Sequence, residues 1–249
     1  MTSFSSSVRT GAAKLQKYTW PFTFLVAIGG LWQPRLGLLV VPVMLALVVM
    51  SFFRGRFWCG NVCSHGSLFD HVLGPFSRKR NIPKFLKSPY MAWGFFAFFG
   101  YNFTKRVITA AKLWGTSQFW DRLGFIFVAS YLMVLVVGGV LALLIRPRTW
   151  CAFCPMGTME KWSYKLGQLS GVTQRTDLQV TVSDPDKCRA CGRCAKACPM
   201  ELSPHLFFNS SNQFASENCI RCGECAEACP FKLLSVAQTP SQQEGASAA

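Results

Sequence analysis

Twice in this chain, at an interval of 31 residues, the pattern C-x-x-C-G-x-C-A-x-A-C-P recurs: KCRACGRCAKACPMEL begins at Lys187 and NCIRCGECAEACPFKL at Asn218. Three cysteines so close together can grip three corners of an iron-sulfur cubane, and a fourth, followed by proline, turns away to ligate the neighbouring one. Crossed ligation predicts one [4Fe-4S] cluster on Cys188, Cys191, Cys194 and Cys229, and a second on Cys219, Cys222, Cys225 and Cys198. Zinc competes for paired C-x-x-C motifs. It takes four ligands with no crossed remainder, so the eight-cysteine pattern with Pro199 and Pro230 points to clusters.

Charge differs between the two motifs. The first contains Arg189, Arg193 and Lys196, and the second Glu224 and Glu227 against Arg221 alone. Positive neighbours favour the more negative, reduced cluster, which predicts the higher potential for the first; the alternative is solvated surface charge without a tuning role. Over roughly residues 184 to 236 the segment resembles the bacterial two-cluster ferredoxins. That resemblance implies a small pseudo-symmetric α+β domain whose two cubanes carry single electrons.

Ahead of this domain the chain is of another kind. Hydrophobic residues make up 51% and charged ones 15%, too apolar for a soluble chain of 249 residues. Of the eleven acidic residues only Asp70 and Asp121 precede residue 146. Four uncharged runs, 18–32, 36–53, 88–104 and 124–145, read as transmembrane helices, since a span needs about 20 apolar residues and four buried soluble helices would leave almost no polar surface. Gln33, Pro34 and Arg35 make a tight turn that pairs the first two as a hairpin.

Lysines and arginines near the spans set the orientation. With the N-terminus inside, the inner segments hold Arg9, Lys14, Lys17, Arg54, Arg56, Arg78, Lys79, Arg80, Lys84, Lys87, Arg146 and Arg148; the outer ones hold Arg35, Lys105, Arg106, Lys112 and Arg122. Both termini and the ferredoxin domain are therefore expected in the cytoplasm, where disulfides are disfavoured. Attraction to the anionic lipid bilayer accounts for much of the +15 net charge, with no call for nucleic acid. The first run reads as an uncleaved span, because GGLWQPRL offers no small-residue cleavage site.

A second duplication lies at the span ends. RFWCGNVCSHGSLF (56–69) follows the second run and RTWCAFCPMGTME (148–160) the fourth, sharing R-x-W-C, a short gap, then C-x-x-G. On the topology above, Cys59, Cys63, Cys151 and Cys154 all emerge at the cytoplasmic membrane edge. They could hold a third iron-sulfur or metal centre or act as a dithiol pair, since thiolate alone suits iron, zinc and Cu(I). His65, two residues after Cys63, could add a metal ligand. The spans contain no histidine, which argues against a haem held between them. Trp20, Trp32, Trp58, Trp114, Trp120 and Trp150 read as interface anchors. Interfacial helices are expected over 158–169 and 105–120.

With both duplications in place, nearly the whole chain resembles the membrane polyferredoxins of the NapH type, which accompany periplasmic nitrate reductase, with relatives in methylamine utilisation (MauN) and in the membrane part of the nitrous oxide reductase activator NosR. Where that family has C-x-x-x-C-P in each pair, this chain has Ser64 in place of the first proline and two residues between Cys151 and Cys154. The expected architecture is an α-helical integral membrane protein of four transmembrane helices with a C-terminal ferredoxin domain. Its boundaries are 1–156 for the membrane domain, 157–183 for an interfacial helix and linker, 184–237 for the two-cluster domain and 238–249 for a disordered tail. The resemblance implies an electron-transfer subunit of the inner membrane, rather than a stand-alone enzyme, relaying electrons between the quinone pool or a membrane partner and a redox enzyme. The alternative is a maturation factor that delivers electrons or copper to a reductase or oxidase.

Overall fold

Proline opens the main helices of this protein. In the computed structural model, which describes residues 15–238, Pro21 lies in the first turn of α1 (Trp20–Trp32), Pro34 starts α2 (Pro34–Arg54), Pro89 starts α3 (Pro89–Ala111) and Pro155 starts α5 (Pro155–Leu169). A missing N–H costs nothing in a first turn, where that group has no intrahelical partner, and the ring presets the helical φ. Of the five long helices among the described residues, α4 (Ser117–Leu144) begins without one. The expected tail beyond Gln238 and the cations Arg9 and Lys14 lie outside the described residues.

The chain divides into two compact units. One comprises Gln16–Val48 and Cys63–Met159; the other comprises Val49–Val62 and the chain from Glu160 onward. In the first, glycine governs the packing. A methyl group at Gly37 would overlap the carbonyl oxygen of Gly124, one at Gly124 would overlap that of Pro34, and one at Gly30 would run into Val128. The α1–α2 turn therefore lies backbone against backbone on α4, the close approach that small residues permit between apolar helices. Arg35 Nε donates to Asp121 Oδ1 at 2.8 Å across the same contact, at the exposed rim where such a pair adds little. A second core gathers Leu68, Phe69, Ile82, Leu86, Ala142, Trp150 and Phe153.

Two helices, α2 and α4, are long and apolar enough to cross a membrane, and α1 is a shorter apolar helix. Only 22% of the apolar window of α2 and 33% of that of α4 is buried within the protein. A soluble core helix would be mostly enclosed, so this exposed apolar surface supports membrane association. Of the four expected spans, two helices meet the length and hydropathy of a span. Expectation and structure differ in two places. Residues 105–120 are not a separate interfacial helix: α3 continues to Ala111 and α4 starts at Ser117. Trp150 is no interface anchor; it is 3% exposed, with its ring edge-on to Phe95 and Phe153.

The other unit carries a three-stranded antiparallel sheet of β1 (Leu178–Val182), β2 (Gln213–Phe214) and β3 (Leu234–Gln238), ordered β2-β1-β3. Val180 pairs with Phe214 on one side and Val236 on the other. Beneath the sheet, Val180, Cys194, Phe214 and Cys225 form a core, joined by the short helices α6 (Arg193–Ala197) and α7 (Glu224–Glu227). The end of α2 belongs to this unit. Gly167 of α5 sits so close to the Phe52 carbonyl oxygen that a methyl group would overlap it, and Thr176 Oγ1 donates to the Phe53 carbonyl at 3.0 Å.

The glycine contacts give a direct expectation. Replacing Gly37 or Gly124 by valine should cost about 1–3 kcal/mol through overpacking, read as a lowered unfolding midpoint in detergent. The same change at Gly94 or Gly100, where a methyl group would meet nothing, should leave the midpoint in place.

Candidate functional site

Left-handed backbone repeats with the cysteine motifs. Ala190 (φ 48°) matches Arg221 (φ 54°), Gly192 (φ 69°) matches Gly223 (φ 79°) and Glu201 (φ 53°) matches Lys232 (φ 51°), each pair 31 residues apart. For Ala, Arg, Glu and Lys this conformation costs about 1–2 kcal/mol apiece, so surrounding structure must hold it. The first two pairs flank Cys191 and Cys222, curling each C-x-x-C-G loop around a cavity, and the last follows the C-P step.

Two cavities result. Cys188, Cys191, Cys194 and Cys229 border one, with Pro230 and Phe231 beside them. Cys198, Cys219, Cys222 and Cys225 border the other, with Pro199 and Met200. In both, three thiols come from one motif and the fourth from the C-P step of the other. Among the described residues no three His, Cys, Asp or Glu side chains converge on a point that would hold a single metal ion. Each tetrad is instead spread around an open volume, which fits a multi-iron cubane better than a mononuclear zinc site.

The linings differ. Arg189, Arg193 and His205 join the first cavity, and His205 Nδ1 lies 3.4 Å from Cys194 Sγ. The second is otherwise lined by apolar residues and Gly223. Burial pushes the thiols of Cys194, Cys219 and Cys225 upward. Thiolate at these positions therefore calls for a bound cation or cluster.

The four cysteines of the other duplication divide between the units: Cys59 lies in the unit with the sheet, and Cys63, Cys151 and Cys154 in the other. Within the latter, burial, reinforced by Cys151 and Cys63, pushes the Cys154 thiol up to about 12. The Cys63 and Cys151 thiols also act on Arg148. His65 packs its ring 4.5 Å from that of Tyr131, and its Nε2 is buried without a hydrogen-bond partner among the described residues. Burial lowers its pKa to about 4, leaving a neutral imidazole at physiological pH.

The arginine of each R-x-W-C repeat differs from expectation. Arg56 and Arg148 have the sequence position of juxtamembrane cations, yet they are 2% and 1% exposed. Each aims a guanidinium N–H at the cysteine three residues on: Arg56 Nη2 is 4.0 Å from Cys59 Sγ, and Arg148 Nη1 is 3.8 Å from Cys151 Sγ. Each also faces a carboxylate from the opposite repeat. Arg148 Nε donates to both oxygens of Asp70 at 3.0 and 2.9 Å, and Arg56 Nε lies 3.6 Å from Glu160 Oε2. Burial works against the charge on Arg148, but Asp70 and Cys151 hold its pKa above the ordinary range. Burial pushes Glu160 upward while Arg56 and Cys59 pull it down.

The C-x-x-G glycine now has a reason. At Gly66 the Arg148 guanidinium occupies the place where a β-carbon would go. The available signal was that Asp70 is one of only two acids in the front of the chain, alone in a stretch where an unmatched carboxylate would be costly.

A third buried arginine serves the second ferredoxin motif. Arg221, 6% exposed, donates from Nε to the Leu178 carbonyl at 2.6 Å and from Nη2 to Asp177 Oδ2 at 2.9 Å, and lies 4.9 Å over the Tyr164 ring. Its guanidinium fills the space at Gly55. The turn Phe57–Asn61 closes on the same loop: Asn61 Nδ2 donates to the Arg221 carbonyl at 3.3 Å, and Gly60 lies so near the Ile220 carbonyl oxygen that a methyl group would overlap it. Cys59 and Arg56 are thereby carried to the second-motif loop, and Arg56 acts electrostatically on Cys219.

Comparison with known families finds ferredoxin-type sequence in both halves. Residues 36–83 and 128–172 each match the family described as a 4Fe-4S binding domain, and residues 181–230 match the 4Fe-4S dicluster domain. The first family thus matches twice, once over each R-x-W-C repeat. No curated protein and no solved structure matches the chain. These matches support an iron-sulfur, metal-binding protein of ferredoxin type.

Removing the partner of a buried charge strands it, at about 3–5 kcal/mol. Asp70→Leu, which strands the buried Arg148 guanidinium, should therefore lower the unfolding midpoint sharply, and adding Arg148→Met should recover a large part of the loss. If the double variant unfolds no later than the single one, the Asp70 pairing is not what holds Arg148.

Proposed function

We propose that this protein is a membrane-bound one-electron relay. Two [4Fe-4S] clusters are bound, one by Cys188, Cys191, Cys194 and Cys229 and the other by Cys198, Cys219, Cys222 and Cys225. The observation that carries this reading is the crossed composition of the two cavities, each bordered by three thiols of one motif and one of the other. A cubane so held supplies reversible single-electron storage. The chain's own contribution is a rigid loop geometry, thiols withdrawn from solvent, and a charge environment that differs between the sites.

The relay crosses the inner membrane four times, on α1 to α4, with both termini and the two-cluster domain in the cytoplasm. Support comes from the exposed apolar faces of α2 and α4, from the uncharged runs, and from the excess of lysine and arginine on the inner segments. At about 1.5 Å per residue α3 is also long enough to span, although it is less apolar. α5 lies along the interface, because Trp162, Leu166 and Leu169 are exposed on it while Glu160 and Tyr164 are buried. Electrons pass between the quinone pool or a membrane partner and a redox enzyme, as in the NapH-type polyferredoxins that the chain resembles.

A second reading, delivery of electrons or copper during maturation of a reductase or oxidase, has one observation in its favour. Cys63, Cys151 and Cys154 are three interacting thiols in one unit, a soft donor set suited to Cu(I) as well as to iron. Iron, acid-labile sulfide and copper per chain, with EPR, separate the readings in the anaerobically purified protein and in a Cys151→Ala, Cys154→Ala variant. About eight irons in both supports two cubanes; a fall from about twelve to eight adds a third centre. Copper lost only from the variant favours maturation. An iron-free, EPR-silent protein after anaerobic reconstitution would remove the relay altogether.

A further inference from the structure

The two cysteine motifs share a backbone but not an environment. Along the first loop Arg189, Ala190, Cys191 and Arg193 are exposed. Along the second, the matching Ile220 and Arg221 are 2% and 6% exposed and Gly223 is buried. The Phe57–Asn61 turn accounts for the difference: Gly60 and Asn61 press on the backbone of Ile220 and Arg221, and the Arg221 side chain runs inward to Asp177 and the Leu178 carbonyl. Ala190, its counterpart, has no side chain with which to do the same.

The exposed loop is also the basic one. Arg189 and Arg193 line the first cavity, and Lys196 lies one helical turn on from Arg193 in α6. Lys187 and Lys232 are exposed nearby. The acids of the same stretch are Asp184, already paired with Lys187 at 2.7 Å, then Asp186 and Glu201. Apolar surface accompanies the charge. Phe231 borders the cavity, 45% exposed under the Arg189 guanidinium at 5.3 Å, and Phe207 is 68% exposed. A basic rim around an exposed aromatic, over a thiol set of which Cys191 is exposed, is complementary to an acidic protein surface.

We propose that the Cys188, Cys191, Cys194 and Cys229 site is the port at which a soluble one-electron protein with an acidic contact face docks, and that the second-motif site is the inner relay, sealed by the Phe57–Asn61 turn. This rests on the proposed two-cluster relay and assigns its order. Each encounter moves one electron: the partner loses one and the port gains one, or the reverse, and no bond or proton is exchanged.

The test uses the full chain, anaerobically purified, in nanodiscs of neutral lipid. Its one-electron donors are fully reduced flavodoxin, which is an acidic protein, and a small neutral deazaflavin radical. Arg193→Glu with Lys196→Glu should lower the ratio of the flavodoxin rate to the deazaflavin rate by about tenfold at low salt, the effect shrinking as salt rises. In parallel, a ferrous chelator should strip iron in two phases, and Gly60→Ala should speed the slow phase alone. An unchanged rate ratio overturns the port, as does a defect seen only in discs of anionic lipid, which would make the basic rim a membrane contact. Single-phase iron release overturns the sealed relay. A chain that carries no iron overturns this order together with the relay itself, a result distinct from the others because neither donor would then be oxidised.

Discussion

Three guanidinium groups buried beside cysteines organise this protein. A charge withdrawn from water has to meet an opposite charge and fill its hydrogen bonds, or the fold pays several kcal/mol. Arg56, Arg148 and Arg221 meet that demand in the same way: each faces a carboxylate, Glu160, Asp70 or Asp177, and each stands at or within a cysteine motif. Two of them also rest where a glycine leaves room, Arg148 at Gly66 and Arg221 at Gly55. The cysteine loops are therefore held by directional, charge-assisted contacts as well as by apolar packing, and such contacts fix orientation as well as depth.

Duplication explains how these contacts arise in pairs. The R-x-W-C repeats exchange carboxylates, so that the arginine of the first answers an acid that follows the second, and the arginine of the second an acid that follows the first. Neither half could bury its guanidinium alone. In the ferredoxin segment the backbone repeats down to its left-handed residues, yet the side chains have diverged, Arg189 and Ala190 against Ile220 and Arg221. The first loop stands exposed, while Arg221 ties the second to Asp177, to the Tyr164 ring of α5 and to Gly55 at the end of α2. Electron carriers benefit from such asymmetry, because two identical sites would offer no preferred entry.

The signals that mark the candidate site in the sequence are local. The C-x-x-C-G-x-C-A-x-A-C-P pattern, the R-x-W-C repeat and the uncharged runs are all read within a few neighbours, since thiol spacing and span length are short-range constraints. Arg56 and Arg148 were misread for the opposite reason: an arginine beside an apolar run looks like an interface cation until a carboxylate about 80 to 100 positions away in sequence is brought to it. Trp150 was misread likewise, because an aromatic anchor and a core aromatic have the same composition and differ only in what packs on them. The helices α3 and α4 outran their uncharged runs, since Lys105, Arg106, Asp121 and Arg122 are accommodated at helix ends by exposure or pairing.

By itself the sequence determined which thiols belong to which ferredoxin motif and which stretches avoid water, because those properties depend on residue type and spacing alone. Only the tertiary structure decided that Cys59 joins the unit of the sheet while Cys63, Cys151 and Cys154 join the other, that the R-x-W-C arginines are buried ion pairs, and that one ferredoxin loop is covered and its twin is bare. Those outcomes turn on partners far apart in the chain, and the energy of a buried charge depends on who its neighbours are, which no local pattern of residues records.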